Sequence, residues 1–160
     1  CCELVGALDE LRRQPRLTGW VLTQLTDVEF EDNGLVTYDR EPKDDRCERN
    51  GVGLVDVLGD DFVGFDWLPG EAHPAGETVE VPLWFSQWSS GQAAERTLTV
   101  RWGDDTGTSH SFTTRPWDLT PIEGMTIDTP TDPGEHVFVA EVWDGSERLC
   151  ANRISVSVLE

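Results

Sequence analysis

From about residue 52 onward, apolar residues recur at every second position in short runs, and clusters of turn-forming residues separate those runs. Val79, Val81, Leu83 and Phe85 share one face of such a run; Leu98, Val100 and Trp102 share a second; Ile154, Val156 and Val158 share a third. A period of two is the signature of a strand with one buried and one open face. Further strands are expected at 61–68, 109–115, 125–128 and 136–143. Turn chemistry stands between them at Pro69-Gly70, Ser90-Gly91, Gly103-Asp104-Asp105, Pro133-Gly134 and Asp144-Gly145. About seven short strands so spaced predict an antiparallel, immunoglobulin-like β-sandwich over 51–160.

The first 50 residues follow another pattern. Leu4, Val5, Leu8 and Leu11 recur at helical spacing over 3–14, with Arg12 and Arg13 where cations complement the helix dipole, and Pro15 is the expected stop. Residues 17–22, including Trp20 and Val21, read as a short strand buried on both faces. A polar stretch then runs to Asp45 and contains the Asn33-Gly34 turn signal and the pre-proline residue Glu41. This helix, strand and loop have α/β character, yet one parallel strand needs neighbours for its ladder bonds. The expectation is therefore a remnant of something larger joined to a complete sandwich.

Composition narrows the partners. The chain has 160 residues, 31 acidic against 12 basic, and a formal net charge of -19. A field of that sign repels phosphate backbones and anionic lipid, so neither nucleic acid nor a membrane surface is an expected partner. Of the basic residues only Lys43 is a lysine. Cys1, Cys2, Cys47 and Cys150 show no zinc spacing or disulfide framework, so thiols, no metal and no cofactor are expected. No apolar run is long enough to span a bilayer and no signal peptide opens the chain. A cytoplasmic location is expected, with secretion left open.

Two sets of residues bear on chemistry. Asp27, Glu29, Glu31 and Asp32 follow the predicted short strand; if it continues, alternation places Asp27, Glu29 and Glu31 on one face. Paired carboxylates can perform glycoside hydrolysis, although in so acidic a chain a solvated or cation-binding loop is the readier explanation of each taken singly. Nucleophilic catalysis has little support: His73, His110 and His136 lie in the sandwich, and no Ser occupies a nucleophile elbow. The second set is aromatic. Trp67, Trp84, Trp88, Trp102, Trp117 and Trp143 are candidates for core packing or for a platform that stacks on sugar rings. Trp84, out of phase with the Val79–Phe85 face, is expected to point away from the core.

The stretch QPRLTGWVLTQLTDVEFEDNGLVTYDREPK, residues 14–43, carries a Pro-Arg-Leu, a GWV strand start, TQLTD-x-E, an NGL turn and a YDR-x-PK exit in that order. It resembles the end of the catalytic (β/α)8 barrel of family-two glycoside hydrolases, the group of β-galactosidases, β-glucuronidases and β-mannosidases. The resemblance implies that residues 1–50 are the last barrel helix, strand eight and its loop, followed by an immunoglobulin-like accessory domain. It implies a retaining β-glycosidase whose two catalytic glutamates lie upstream of Cys1, so that this chain alone is inactive. It places Asn33 at the sugar pocket, with Gln24, Thr26, Asp27 and Glu29 leading into it, and makes Tyr38, Asp39 and Arg40 structural. Its partners would be a carbohydrate substrate, reached through the missing barrel, and the barrel itself, against which the sandwich packs. The alternative is a free-standing carbohydrate-binding or interaction sandwich without catalysis; a spacer that only positions neighbouring domains is a third reading.

Overall fold

Two compact units, Cys1–Arg49 and Asn50–Glu160, make up the computed structural model, which describes residues 2–14, 16–41, 43, 49–89 and 91–160. The expected helix stop at Pro15, the Ser90 half of one turn, and the side chains of Cys1, Cys2 and Cys47 lie outside the described residues.

Among its described residues the first unit contains one helix, α1 (Cys2–Arg12), with Arg12 in its last turn. Leu8 is buried, and Arg13 Nε meets Asp9 Oδ2 at 2.6 Å one turn away. The strand expected over 17–22 does not form: these residues have no ladder, Trp20 is half-buried and Val21 is 91% exposed. An apolar run becomes a strand only beside a neighbour that takes up its N–H and C=O groups, and among the described residues of this unit there is none. Isolated bridges join Thr26 to Val36 and Val28 to Glu31 instead.

The second unit is mainly β. A short helix, α2 (Leu54–Leu58), precedes ten strands: β1 (Phe62–Phe65), β2 (Ala72–Pro74), β3 (Thr78–Glu80), β4 (Leu83–Ser86), β5 (Glu95–Trp102), β6 (Thr108–Thr113), β7 (Leu119–Ile122), β8 (Thr126–Asp128), β9 (Gly134–Asp144) and β10 (Glu147–Leu159). They form a three-stranded sheet β1-β4-β7, a five-stranded sheet β2-β10-β9-β5-β6 and a two-stranded ribbon β3-β8. All pairings are antiparallel except that of β2 with β10.

The two larger sheets pack face to face. Val63, Phe65 and Phe85 from one meet Leu98, Val100 and Phe138 from the other in a single core that also buries Cys150. Removing this apolar surface from water is the main stabilising term. Phe138 anchors the aromatic part, with Trp102 at 4.9 Å, Trp67 at 5.2 Å and Phe65 at 5.8 Å between ring centroids. Asn152 crosses the sandwich as a buried polar tie, its Nδ2 donating to the Val63 carbonyl at 2.9 Å. Val79, Val81, Leu83 and Phe85 all reach this core, as their spacing predicts. Pro82 nevertheless divides the run, leaving β3 in the ribbon and β4 in the three-stranded sheet.

Trp84 does face away from that core, but it is 4% exposed rather than open. It pairs across the ladder with Gly64 and its ring lies directly over that residue; a Cβ there would come within 2.0 Å of Trp84 Cζ2. Phe62 packs beside it at 5.5 Å.

On the outer face of the five-stranded sheet, Val52 packs against Val139 and Ala151, while buried Glu141 sits between Arg101 at 3.3 Å and Arg148 at 3.2 Å. Arg148 also reaches Asp56 of α2 at 2.9 Å, which pins α2 beside the sheet. No helix among the described residues is long and apolar enough to cross a membrane.

Candidate functional site

Three of the five residues assigned to a sugar pocket meet in the first unit. Gln24 Nε2 donates to Asn33 Oδ1 at 2.9 Å, and Gly34 N donates to Asp27 Oδ1 at 2.9 Å. Asp27 also receives Lys43 Nζ at 2.6 Å, and the same ammonium reaches the Asp32 carbonyl. Lys43 first, then the Gly34 N–H, hold the Asp27 carboxyl below the usual carboxylate range against a partial desolvation that pushes the other way. Thr26 contributes a backbone bridge to Val36. These contacts close a loop on itself, and a carboxylate engaged in this way is an acceptor held by its own chain.

Glu29 is not part of that cluster. Val28 and Glu31 exchange hydrogen bonds of 3.1 and 2.9 Å around a tight turn at Glu29-Phe30, so the predicted alternation of Asp27, Glu29 and Glu31 along one strand face is broken. Glu29, Glu31 and Asp32 are exposed, as are Tyr38, Asp39 and Arg40, the residues expected to brace a barrel wall.

The tryptophans divide by position. Trp67, Trp84 and Trp102 are buried, and Trp20, Trp88 and Trp143 are half-buried. Trp117 is different: it is 65% exposed and its backbone is left-handed, with φ 61°. A bulky residue adopts that conformation at a cost of about 1–2 kcal/mol and keeps it only where the surroundings impose it. The surroundings here are specific. Trp117 N donates to the Gln87 carbonyl at 3.0 Å, and Pro116 bridges Gln87 in a parallel sense. Arg115 N donates to buried Thr120 Oγ1 at 2.7 Å. Gly91 lies against the indole, where an added Cβ would sit 3.2 Å from Trp117 Nε1.

The loop that supplies Gln87 is itself anchored. Buried Asp61, just before β1, accepts from Trp88 N and Ser89 N at 3.0 Å each and from Ser89 Oγ at 2.7 Å. Gln87 Nε2 donates to the Gln92 carbonyl at 3.0 Å. The result is a fixed indole at the end of the three-stranded sheet, presented to solvent by strapped loops. From sequence alone Trp117 is one aromatic among several; the signal that sets it apart is its place outside every alternating run, directly after Pro116. Nothing local marks Asp61 or Gln87.

The histidines are strand residues: His73 in β2, His110 in β6 and His136 in β9. His73 packs on Trp67 at 4.6 Å, and His136 Nε2 lies 2.8 Å from the Asp132 carbonyl. Among the described residues no group of three His, Cys, Asp or Glu side chains is placed to hold a metal ion.

No family model and no curated protein matches the chain. Solved structures of similar shape include the solution NMR structure of a CARDB domain from Pyrococcus furiosus, at 15% identity and TM-score 0.49 over 62% of this chain and 94% of that one. The crystal structure of that CARDB domain in complex with di-metal ions gives 14% identity and TM-score 0.49, over 62% and 88% of the two chains. An alkylpurine DNA glycosylase of Pseudomonas fluorescens, bound to DNA containing an abasic site analogue, gives 11% and 0.42, over 70% of this chain and 35% of that one. At these values the likenesses add nothing to the fold described above.

The resemblance of residues 14–43 to family-two glycoside hydrolases is corrected by these findings. No family model or curated protein supports it, and the segment meant to be barrel strand eight is not a strand. With it goes the reason for reading Gln24, Thr26, Asp27, Glu29 and Asn33 as the wall of a sugar pocket.

Proposed function

We propose that Asn50–Glu160 is an immunoglobulin-like, non-catalytic binding module that seats a neutral carbohydrate on the face of Trp117. The observation that carries this reading is an exposed indole held in a left-handed backbone by its neighbours. A free surface tryptophan gains nothing from such a conformation, whereas a fixed apolar face that meets the C–H face of a sugar ring loses little freedom on binding. The charge of -19 argues for a neutral ligand over a sulfated or uronic one.

The test is titration of the full chain with a panel of neutral and anionic oligosaccharides, read by tryptophan fluorescence and calorimetry, beside Trp117→Gly. Glycine suits a positive φ, so this variant keeps the fold while removing the ring. Binding of a neutral glycan is expected, about 10- to 100-fold weaker in the variant, or about 1.4–2.8 kcal/mol. Equal binding by both proteins, or none by the wild type across the panel, removes the reading.

A further inference from the structure

We propose that the outer edge of β6 is a docking site for an extended, basic segment of another protein, which adds to the five-stranded sheet as a sixth strand. The order β2-β10-β9-β5-β6 leaves β6 at the margin. Its inner side pairs with β5 without interruption from Glu95↔Thr113 to Val100↔Thr108. A regular edge strand presents half of its N–H and C=O groups outward, a template for another chain unless something blunts it.

The other edges of this unit are blunted and β6 is not. β2 is three residues long and ends in Pro74; β7 contains Pro121; β1 is four residues long. The ribbon strands β3 and β8 are three residues each and carry Glu80 and Asp128. β6 reads Thr-Ser-His-Ser-Phe-Thr over six residues, with no proline, no acidic or lysine/arginine side chain and no break in register. Thr108, Ser109, Ser111 and Thr113 are exposed along it.

The side chains around the edge indicate the occupant. Phe112 packs edge-on against Phe85 of the core at 5.5 Å yet is only half-buried, so the core is incompletely covered there. An added strand with an apolar residue on that face completes the cover, while its alternate residues lie over Ser109 and Ser111, small enough to leave room for long side chains. Asp104, with its side chain 86% exposed, and Asp105 stand in the turn that leads to β6, and Glu95 stands opposite its last residue. Arg115 lies beyond the far end. Against this acidic surround a strand alternating apolar residues with Lys or Arg is complementary, and a second copy carrying its own -19 is not.

The experiment titrates the full chain with an eight-residue peptide alternating valine and arginine, with a sequence-scrambled isomer and with the valine-glutamate counterpart, each followed by amide NMR and hydrogen exchange. The expected result is slowed exchange and shifted resonances confined to Thr108–Thr113 and the adjacent Asp104-Asp105 turn. The scrambled and acidic peptides are expected to bind at least tenfold more weakly. Ser111→Lys places a cation on the open edge and is expected to weaken the arginine peptide at least fivefold; its β5–β6 amides, still protected, report that the sheet is intact. Peptide binding spread over the acidic surface, unaltered by Ser111→Lys, or without protection at β6 overturns the proposal. So does concentration-dependent pairing of β6 with itself in the absence of peptide, since the occupant is then a second copy. Loss of glycan binding at Trp117 bears on neither result.

Discussion

Asp27 shows how a carboxylate in an acidic loop can be engaged by its own chain. Its Oδ1 is shared by the Gly34 N–H and by Lys43, the single lysine of the chain, and both contacts are stronger when that oxygen is charged. Gly34 is required by proximity: a Cβ there would lie 2.4 Å from the Asp27 backbone nitrogen. Because the folded carboxyl is held below its ordinary range, its contribution is fully present above that range and is lost as pH falls through the lowered value. Side-chain carboxyl NMR is expected to show Asp27 titrating below an unpaired aspartate, and Lys43→Ala is expected to move it up toward the ordinary range. In that variant the amides of 24–36 should lose protection at a higher pH on acidification. An unchanged titration in Lys43→Ala would remove Lys43 as the cause. The Asn33-Gly34 turn was legible from sequence; the oxygen it closes on was not, because Asp27 lies seven residues before Gly34 and Lys43 sixteen after Asp27.

Between elements, one buried carboxylate organises the end of the three-stranded sheet. Asp61 fixes the loop after β4 through three hydrogen bonds, and the Gln87 carbonyl of the same loop holds the Trp117 N–H. Asp61→Ala leaves two backbone donors and a hydroxyl without their acceptor, at an expected cost of about 2–4 kcal/mol in chemical denaturation. Because it also slackens the platform, neutral-glycan affinity is expected to fall although Asp61 need not touch the sugar; Asp61→Asn, able to accept one set of bonds, should lose less of both. A stability change below about 0.5 kcal/mol, the range of an ordinary surface substitution, would show that the loop is held by something else. Sequence alternation found the faces but not the sheets. Val79 through Phe85 does line one core, yet Pro82 cannot donate to a ladder, and the run splits between two sheets. Residues 17–22 read equally well as a strand and fail as one, since periodicity describes a face and says nothing about whether a neighbour exists to pair with it. Trp84 illustrates the same limit: its direction followed from phase, its burial from Phe62 and its cross-strand partner Gly64, both on β1.

For the molecule as a whole, the short tokens within 14–43 suggested a large enzyme because tokens such as NGL and TQLTD are turn and loop chemistry that many backbones accept. The β-sandwich was legible because a two-residue period repeated over many runs leaves few ways to bury the apolar faces. Charge is the remaining property of the whole chain. With 31 acids and 12 bases, most carboxylates have no cation to meet, and folding brings them closer together than they are in the unfolded chain. The compact state is therefore opposed by a repulsion that salt can screen: the Debye length falls from ~30 Å at 0.01 M to ~10 Å at 0.1 M. The midpoint of thermal unfolding is expected to rise by roughly 5 °C between those sodium chloride concentrations, on the order of 1–2 kcal/mol for a chain of this size. Sodium and potassium chloride should act alike, with most of the gain complete by about 0.2 M, because screening depends on ionic strength and saturates once the Debye length is near the spacing of neighbouring charges. A gain that appears only with strongly excluded salts such as sulfate is a surface-exclusion effect instead. A flat or falling midpoint from 0.01 to 0.1 M would mean that the acids are already neutralised by partners within the fold.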